Sequence, residues 1–408
     1  MAGIGFELKK LFQKSGIAST AKAYGYAGII CTGPMLLGIV LLVGITFICD
    51  HTGATRHNRE LLNCMITYTL LASLTVTSFF SMVVTRYIAD MLYEERHETV
   101  LPSFWGSTTI LLVVGGIMYG IFLLFSGINL IDQFLCLEFF GELIVTWNAM
   151  SYLTAIKDYK GILLSFVSAV TVSLLIGVLL VLIGIPHVEA MMIAVTIGYG
   201  IMLLWDVTLL YRYFPQSESS AFFFLRWVDQ FLPLAFIGLF TNIGLFAHLV
   251  IMWCSPIHVH VQGLFYGAPY HDVPAMIAYL TILMEGYFRT LCVGFGLYAV
   301  ANTMMLILLY FTDYKGALYA TGMFAACTTG FTCISLFFPQ VYYGFGFLLG
   351  SAVFFLICTL RLGYFIKKLP YYILSVQPIV AEDKTGFFTR LGCFLEEKIE
   401  RGDELEKL

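Results

Sequence analysis

The feature that most constrains this chain is a series of long apolar runs separated by short polar gaps. A hydrocarbon core about 30 Å thick is crossed by about 20 apolar residues of helix. Ten runs of this kind follow one another: Ala27–Cys49, Leu62–Ile88, Trp105–Gly127, Ile131–Ala155, Gly161–Gly184, Val188–Leu210, Phe231–Trp253, Val273–Phe311, Gly316–Phe338 and Gly344–Ile366. Backbone polar groups in lipid must bond within their own segment, and these runs lack the alternation of barrel strands. The sequence therefore predicts an all-α polytopic membrane protein with about ten transmembrane helices.

The composition excludes several classes of protein. Hydrophobic residues make up 59% of the 408 residues and charged residues 12%, whereas an ordinary soluble domain is about 25% charged. Soluble enzymes, nucleic-acid-binding modules and disordered chains are therefore set aside. The ten cysteines form no C-x-x-C pair, so neither a disulfide framework nor a zinc site is predicted. We expect no cofactor, no metal and no catalytic residue.

The distribution of basic residues predicts the orientation. With the N-terminus in the cytoplasm, the inner segments hold twelve Lys and Arg before the distal tail is counted, and the outer loops hold only Arg56 and Arg59. Basic residues accumulate on the cytoplasmic side of membrane proteins. We therefore expect a multi-pass protein of the bacterial cytoplasmic (inner) membrane with both termini in the cytoplasm.

A short internal repeat predicts the domain organisation. Lys157–Leu163 resembles Thr312–Leu318, and each copy lies between two apolar runs. Four apolar runs precede the first copy, but only two lie between the polar connector and the second copy. If the two halves were equal, each would have six helices, so the second half is two helices short. The predicted order is an amphipathic segment (1–22), a first bundle of six spans (23–212), a connector (213–228), a second bundle of about four spans (229–368) and an amphipathic tail (369–408). We predict that the two missing helices were lost at Leu280–Tyr287.

Several motifs in order carry a resemblance to a known family. They are M-A-G-I-G-F-E-L-K-K at 1–10, T-R-Y-I-A-D at 85–90, L-P-S-F-W-G at 101–106, K-D-Y at 157–159 and G-L-F-x-N-x-G at 238–244. The set resembles the Pel exopolysaccharide transporter family, PelG, within the superfamily of polysaccharide flippases and multidrug exporters. The chain departs from that family after Leu283, where a pair of spans is missing, and near His248, where an Asp-Lys pair is expected.

The resemblance implies a function and partners. It implies an inner-membrane transporter that moves a Pel-type amino-sugar polymer during biofilm matrix production, by alternating access between two bundles. The implied partners are the polysaccharide, a cytoplasmic glycosyltransferase, other Pel synthase membrane subunits and lipid, with no nucleic acid. The alternative is a membrane scaffold that anchors the synthase without transporting, which the lost pair of spans favours.

Two glutamates are the first candidates for the substrate path. Glu138 and Glu142 lie inside the fourth run, and their i, i+4 spacing places both carboxylates on one helix face. A charge inside the membrane costs about 2.5–3.5 kcal/mol on insertion scales, so it needs a partner or a water-filled cavity. The functional hypothesis is a wet acidic strip along the path. The alternative is that both residues face water near the outer interface, just past Asp132.

The other candidates are charged pairs and a kink. Glu285 and Arg289 are i, i+4 neighbours that form either part of the path or a local ion pair. Arg86 and Asp90 either form a gate or extend their charged ends towards the membrane surface as a snorkelling pair. Asp206 and Asp229 either form an inner gate or are ordinary residues of the membrane interface. Pro34, after Gly33, removes a helical hydrogen bond and so kinks the first span. The kink either acts as a hinge or has no function. His258, His260, His271 and Asp272 are expected in a solvated outer loop, because their spacing does not favour a metal site.

Overall fold

The computed structural model describes residues 38–156, 158–217, 219–278, 287–339, 342–367 and 386–406. Gly33, Pro34, the segment 1–22 and Glu285 lie outside these residues, as does the side chain of Arg289. The helices are α1 Gly38–His51, α2 Arg56–Tyr93, α3 Val100–Leu124, α4 Leu130–Ile156, α5 Tyr159–Ile183, α6 His187–Tyr213, α7 Leu225–Gln230, α8 Leu232–Trp253, α9 Pro269–Ala278, α10 Tyr287–Tyr310, α11 Tyr314–Ser335, α12 Phe345–Lys367 and α13 Phe387–Glu406. A hairpin of β1 Val259–Gln262 and β2 Phe265–Gly267 precedes α9.

The predicted class, an all-α polytopic membrane protein, is confirmed. Within the described residues, eight helices are long and apolar enough to cross a membrane: α2, α3, α5, α6, α8, α10, α11 and α12. The 27-residue α4 is as long but carries three acidic residues, and α1 is the described part of the first predicted span. These ten helices correspond one to one with the ten apolar runs.

One boundary differs from the prediction. The run Val273–Phe311 was expected to be a single crossing, but the structure has two helices there, α9 and α10. The ten described residues of α9 span about 15 Å at 1.5 Å per residue, whereas the 24 residues of α10 span about 36 Å, which is long enough to cross. Apolar composition does not distinguish a short helix beside a span from an extension of that span, which is why the two merged in the sequence pattern.

The chain divides into two compact units. The first unit comprises the chain up to Phe224, His260–Phe265 and the tail from Gly392. The second unit comprises Leu225–Val259 and Tyr266–Leu391. The division of the main chain at Leu225 falls inside the connector predicted at 213–228. Each unit has its own buried core.

In the first unit, α4 packs against α2, α3 and α6, and buried polar side chains join three of these helices. Asn148 on α4 donates its amide hydrogens to Ser107 (2.8 Å) and Thr108 (2.9 Å) on α3. Trp147 donates to Ser73 on α2 (3.0 Å). Helices in lipid are held by close packing and hydrogen bonds, since lipid is as apolar as leucine. These bonds therefore help to fix α4 in place.

In the second unit, α11 is the central helix, since it packs against both α8 and α12. Its Phe324 is fully buried and stacks on Phe354 of α12, with ring centroids 4.8 Å apart. Gly244 of α8 permits this packing, because a Cβ there would lie 2.4 Å from the Phe324 ring. An aromatic cluster thus holds this unit together where the first unit has polar bonds.

The two copies of the internal repeat fold alike. Asp158 caps α5 by accepting a hydrogen bond from Gly161 N–H (3.0 Å), and Asp313 caps α11 by accepting one from Gly316 N–H (3.1 Å). Each helix is followed by a second that packs closely against it, giving the hairpins α5–α6 and α11–α12. The copies differ at Asp313, whose carboxylate also binds Arg361 of α12 with contacts of 2.6 and 2.9 Å.

Candidate functional site

The acidic strip of the first unit lies on α4 and consists of Glu138 and Glu142. Glu142 is 12 residues into this 27-residue helix, about 18 Å along a length of about 40 Å. It therefore lies about halfway through the span rather than at its outer end. Glu138, one turn earlier, is exposed, whereas the Thr146 hydroxyl, one turn later, is buried without a hydrogen-bond partner in the described structure.

The carboxylate of Glu142 lies against α6 of the same unit. Glu142 is half-buried, and its Oε2 atom is buried with no hydrogen-bond partner among the described residues. Its Oε1 atom lies against Gly200 of α6, where a Cβ would be only 2.9 Å away. Gly200 thus makes the space that the carboxylate occupies. Sequence reasoning missed Gly200 because no local pattern reveals which helix faces α4; the i+4 spacing from Glu142 does point to Thr146.

The predicted pair on α2 is formed. Arg86 Nε donates to Asp90 Oδ2 at 3.0 Å, and both side chains are partly exposed. An exposed i, i+4 pair contributes only a few tenths of a kcal/mol. This geometry is compatible with both hypotheses from the sequence, a gate and a snorkelling pair.

The two acidic gate candidates lie in different surroundings. Asp206 is fully buried on α6, within the first unit, so it is not a solvated interfacial residue. Asp229 is on α7 in the second unit and binds the start of α13. It accepts hydrogen bonds from the N–H groups of Gly386 (3.1 Å) and Phe388 (3.2 Å) and from the Thr389 hydroxyl (2.7 Å).

These bonds make Asp229 a cap for the tail helix. Burial alone would raise the pKa of Asp229, but hydrogen bonds from the Thr389 side chain and from the backbone of Thr389, Phe388 and Gly386 hold it below its ordinary value of 3.8. The free N–H groups at a helix N-terminus favour a negative charge. The sequence pattern predicted the amphipathic tail at 369–408, but not the residue that anchors it.

The predicted solvated outer loop is wrong for one histidine. His271 is fully buried, and its Nε2 lies 3.3 Å from Nδ1 of His248, which is also buried, on α8. Asp272 turns this segment inward by accepting hydrogen bonds from Trp253 Nε1–H and Ala268 N–H, both at 2.9 Å. His258 and His260 remain at the surface or close to it. A histidine in a polar stretch looks solvated in the sequence, whereas the fold packs His271 against His248 of α8.

Comparison with solved structures defines the class. The chain is similar to an inward-facing multidrug resistance MATE family transporter of the MOP superfamily (TM-score 0.52, 14% identity, 82% of this chain and 96% of that chain). It is also similar to a MOP superfamily transporter from Pyrococcus furiosus (0.54, 15%, 84% and 96%) and to MATE in the bent conformation (0.54, 13%, 84% and 95%). At this identity the likeness concerns the fold, which is that of MATE-like transporters.

The family follows from the sequence. Residues 1–285 and 283–374 match the family described as “PelG: Putative exopolysaccharide Exporter (EPS-E)”, and the chain belongs to this family. The resemblance seen in the motifs is thereby confirmed, and family and fold together support a polysaccharide exporter. The match is in two pieces that meet at 283–285, inside the segment where the internal repeat places the lost pair of spans. No curated protein sequence matches the chain.

Proposed function

We propose that this protein moves a Pel-type amino-sugar polymer across the bacterial inner membrane during biofilm matrix production. The six spans of 23–212 and the four of 229–368 form two bundles that alternate access to the polymer, with both termini in the cytoplasm. A cytoplasmic glycosyltransferase and other Pel synthase membrane subunits supply the chain. Membership of the exopolysaccharide exporter family and the MATE-like fold support this proposal.

The observation that carries the proposal is the carboxylate of Glu142. A buried carboxylate oxygen without a partner costs several kcal/mol in lipid, so an intramembrane acid of this kind indicates a function. Together with exposed Glu138 it offers carboxyl oxygens that accept hydrogen bonds along one face of α4. Such groups suit the hydroxyl and ammonium groups of an amino-sugar polymer. Glu285 and Arg289 remain candidates for the same path.

Polymer secretion by cells that carry the whole synthase tests this role. We expect Glu142→Gln to lower secretion about tenfold, since loss of about 1.4 kcal/mol of transition-state stabilisation has that effect on a rate. Gly200→Ala keeps the charge but displaces the carboxylate, so it should lower secretion as well. Gly120→Ala is the matched control, because a Cβ at that position of α3 meets nothing within 4 Å. Unchanged secretion with Glu142→Gln would remove Glu142 from the path.

A second candidate function is a scaffold that anchors the synthase. The predicted loss of a pair of spans favours it, because the second bundle would then be smaller than the first; the family match in two pieces, 1–285 and 283–374, supports that prediction. Purified synthase reconstituted into liposomes separates the two functions. An exporter delivers labelled polymer to the opposite side of the bilayer, whereas a scaffold retains the glycosyltransferase on co-purification but delivers none.

A further inference from the structure

The tail helix α13 presents two phenylalanines to its surroundings. Phe387 and Phe394 are 71% and 54% exposed, whereas Thr389 and Gly392 of the same helix are buried. Seven residues make about two turns of an α-helix, so both rings lie on one face, about 10 Å apart along the axis. Apolar surface of this kind is unfavourable in water, and an apolar medium that covered it would stabilise the helix.

Two basic residues lie on the same face as these rings. Arg390 and Lys398 are exposed, and each is three or four residues from a phenylalanine, which is the spacing of neighbours on a helix surface. The Lys398 ammonium group lies 5.8 Å from the centre of the Phe394 ring. Neither cation forms an ion pair among the described residues. We call Phe387, Arg390, Phe394 and Lys398 the tail face.

The cap of α13 places the start of this helix close to a membrane span. Asp229 accepts hydrogen bonds from the N–H groups of Gly386 (3.1 Å) and Phe388 (3.2 Å). Asp229 is three residues before Leu232, the first residue of the span α8. Three residues of chain reach at most about 11 Å. Phe387 therefore lies near the membrane surface at which α8 begins.

The acidic residues of α13 come after this start. Phe387–Leu395 contains a single charged side chain, that of Arg390, and the acidic residues begin at Glu396. Glu396 is half-buried and accepts a hydrogen bond from the hydroxyl of Ser220 in the connector. Glu397 is exposed, one turn after the second phenylalanine. The part of α13 nearest the membrane surface is thus positively charged.

A phospholipid surface suits both parts of the tail face. Aromatic rings are enriched where the headgroups meet the acyl chains. Arginine and lysine bind anionic headgroups, while their alkyl chains cover apolar surface. A bilayer is already present at the level of Phe387, so no further protein is needed to cover the rings. A water-soluble partner protein is the alternative occupant, and it would cover them only when it is added.

We propose that the tail face binds the bilayer on the side where α8 begins. Phe387 and Phe394 enter the interfacial layer, and Arg390 and Lys398 bind the phosphates of anionic lipids. The start of α13 then lies along the membrane surface instead of projecting from it. Each basic residue near an anionic surface strengthens binding about fivefold. This contact does not depend on whether the protein exports a polymer.

A lipid-soluble diazirine photolabel, which reacts with side chains inside the bilayer, tests the contact. Full-length protein is reconstituted alone into nanodiscs of phosphatidylcholine, with or without phosphatidylglycerol, irradiated and digested for mass spectrometry. Peptides of the span α12 serve as the internal standard. We expect adducts on Phe387 and Phe394, with a higher yield when phosphatidylglycerol is present and a lower yield in high salt. Absence of these adducts, or a yield independent of phosphatidylglycerol, would overturn the proposal.

Three variants identify the side chains responsible. Phe394→Ser should lower the yield on Phe387, and Arg390→Gln should lower it about fivefold when phosphatidylglycerol is present and by less without it. Glu397→Gln is the matched control, because it removes an exposed charge of the opposite sign and should not lower the yield. Equal losses in Arg390→Gln and Glu397→Gln would contradict a role for the cation.

Hydrogen exchange separates loss of binding from loss of the helix. The backbone at Gly386–Thr389 should stay protected in all three variants, because its bonds to Asp229 do not involve the changed side chains. A tail that no bilayer labels, but that a purified synthase subunit protects in detergent, would assign the tail face to a protein partner and overturn the proposal.

Discussion

At the residue scale, the side chains singled out in the first unit are of two kinds: some interact with a neighbour on the same helix, and others lie against a different helix. The i, i+4 rule predicted that Arg86 pairs with Asp90 and that Glu138 and Glu142 share a face, because both relations lie within one helix. The space made by Gly200 and the full burial of Asp206 depend on which helices meet, and no short pattern encodes that. The same limit explains why His271 was expected in water.

Asn148 provides a residue-scale prediction for the polar bonds of the first unit. Replacing it with leucine, which has a similar volume, removes the bonds to Ser107 and Thr108. Interhelical hydrogen bonds in membranes contribute about 0.6 kcal/mol each, up to about 1.7. We expect Asn148→Leu to destabilise the protein by about 1–2 kcal/mol in a detergent-unfolding titration. Thr171→Val is the control, since Thr171 is exposed and bonds only within its own helix; equal losses in both variants would contradict this role.

At the element scale, the connector makes a close approach to α3. A Cβ on Gly106 would lie 2.0 Å from the carbonyl oxygen of Ala221, whereas a Cβ on Gly116 of the same helix would meet nothing. Overpacking against backbone costs about 1–3 kcal/mol. We therefore expect Gly106→Ala to lower the thermal midpoint in detergent. Gly116→Ala should leave it unchanged or raise it, because alanine is the better helix former. A similar drop in both variants would show that the contact is unimportant.

The tail helix gives a second prediction at this scale, and its sign follows from the lowered pKa of Asp229. Because that pKa is below 3.8 in the folded protein, the cap stabilises α13 at neutral pH and is lost only as the pH falls through the lowered value. Hydrogen exchange at Gly386–Thr389 should be protected at every pH above 3.8. Asp229→Ala should remove the protection at neutral pH, with Asp403→Ala as the control. Loss of protection well above 3.8 would contradict the assignment.

At the scale of the whole molecule, the sequence predicted the class, since it follows from apolar length alone; about ten spans were predicted, and eight described helices are long and apolar enough to cross a membrane. The run Val273–Phe311 was counted as one crossing, although the internal repeat placed the lost pair of helices at Leu280–Tyr287, between the described parts of α9 and α10. The internal repeat was visible as seven residues, yet the structure extends the likeness over two complete hairpins. Small contact pairs such as Gly198 with Ser173 and Gly350 with Thr328 carry this likeness. Each pair joins a glycine to a serine or a threonine, which is too little for sequence comparison alone to align the hairpins.

The predicted orientation is tested by two natural cysteines. Cys254 follows α8, Cys393 lies on α13, and both are exposed. The distribution of basic residues places Cys254 outside and Cys393 in the cytoplasm. A membrane-impermeant maleimide applied to intact cells should therefore modify Cys254, and Cys393 should react only after lysis. Cys254→Ser is the control for assigning the outer signal. Reaction of Cys393 in intact cells would reverse the topology.

The length of α2 has a practical consequence. Its 38 residues extend about 57 Å, and even at a 40° tilt the helix rises about 44 Å, well beyond a hydrocarbon layer of about 30 Å. Uninterrupted helix therefore emerges from the bilayer. A rigid helical protein fused in register to α2 where it leaves the bilayer would serve as an alignment marker. Such a marker would help electron cryo-microscopy of a protein of only 45.7 kDa.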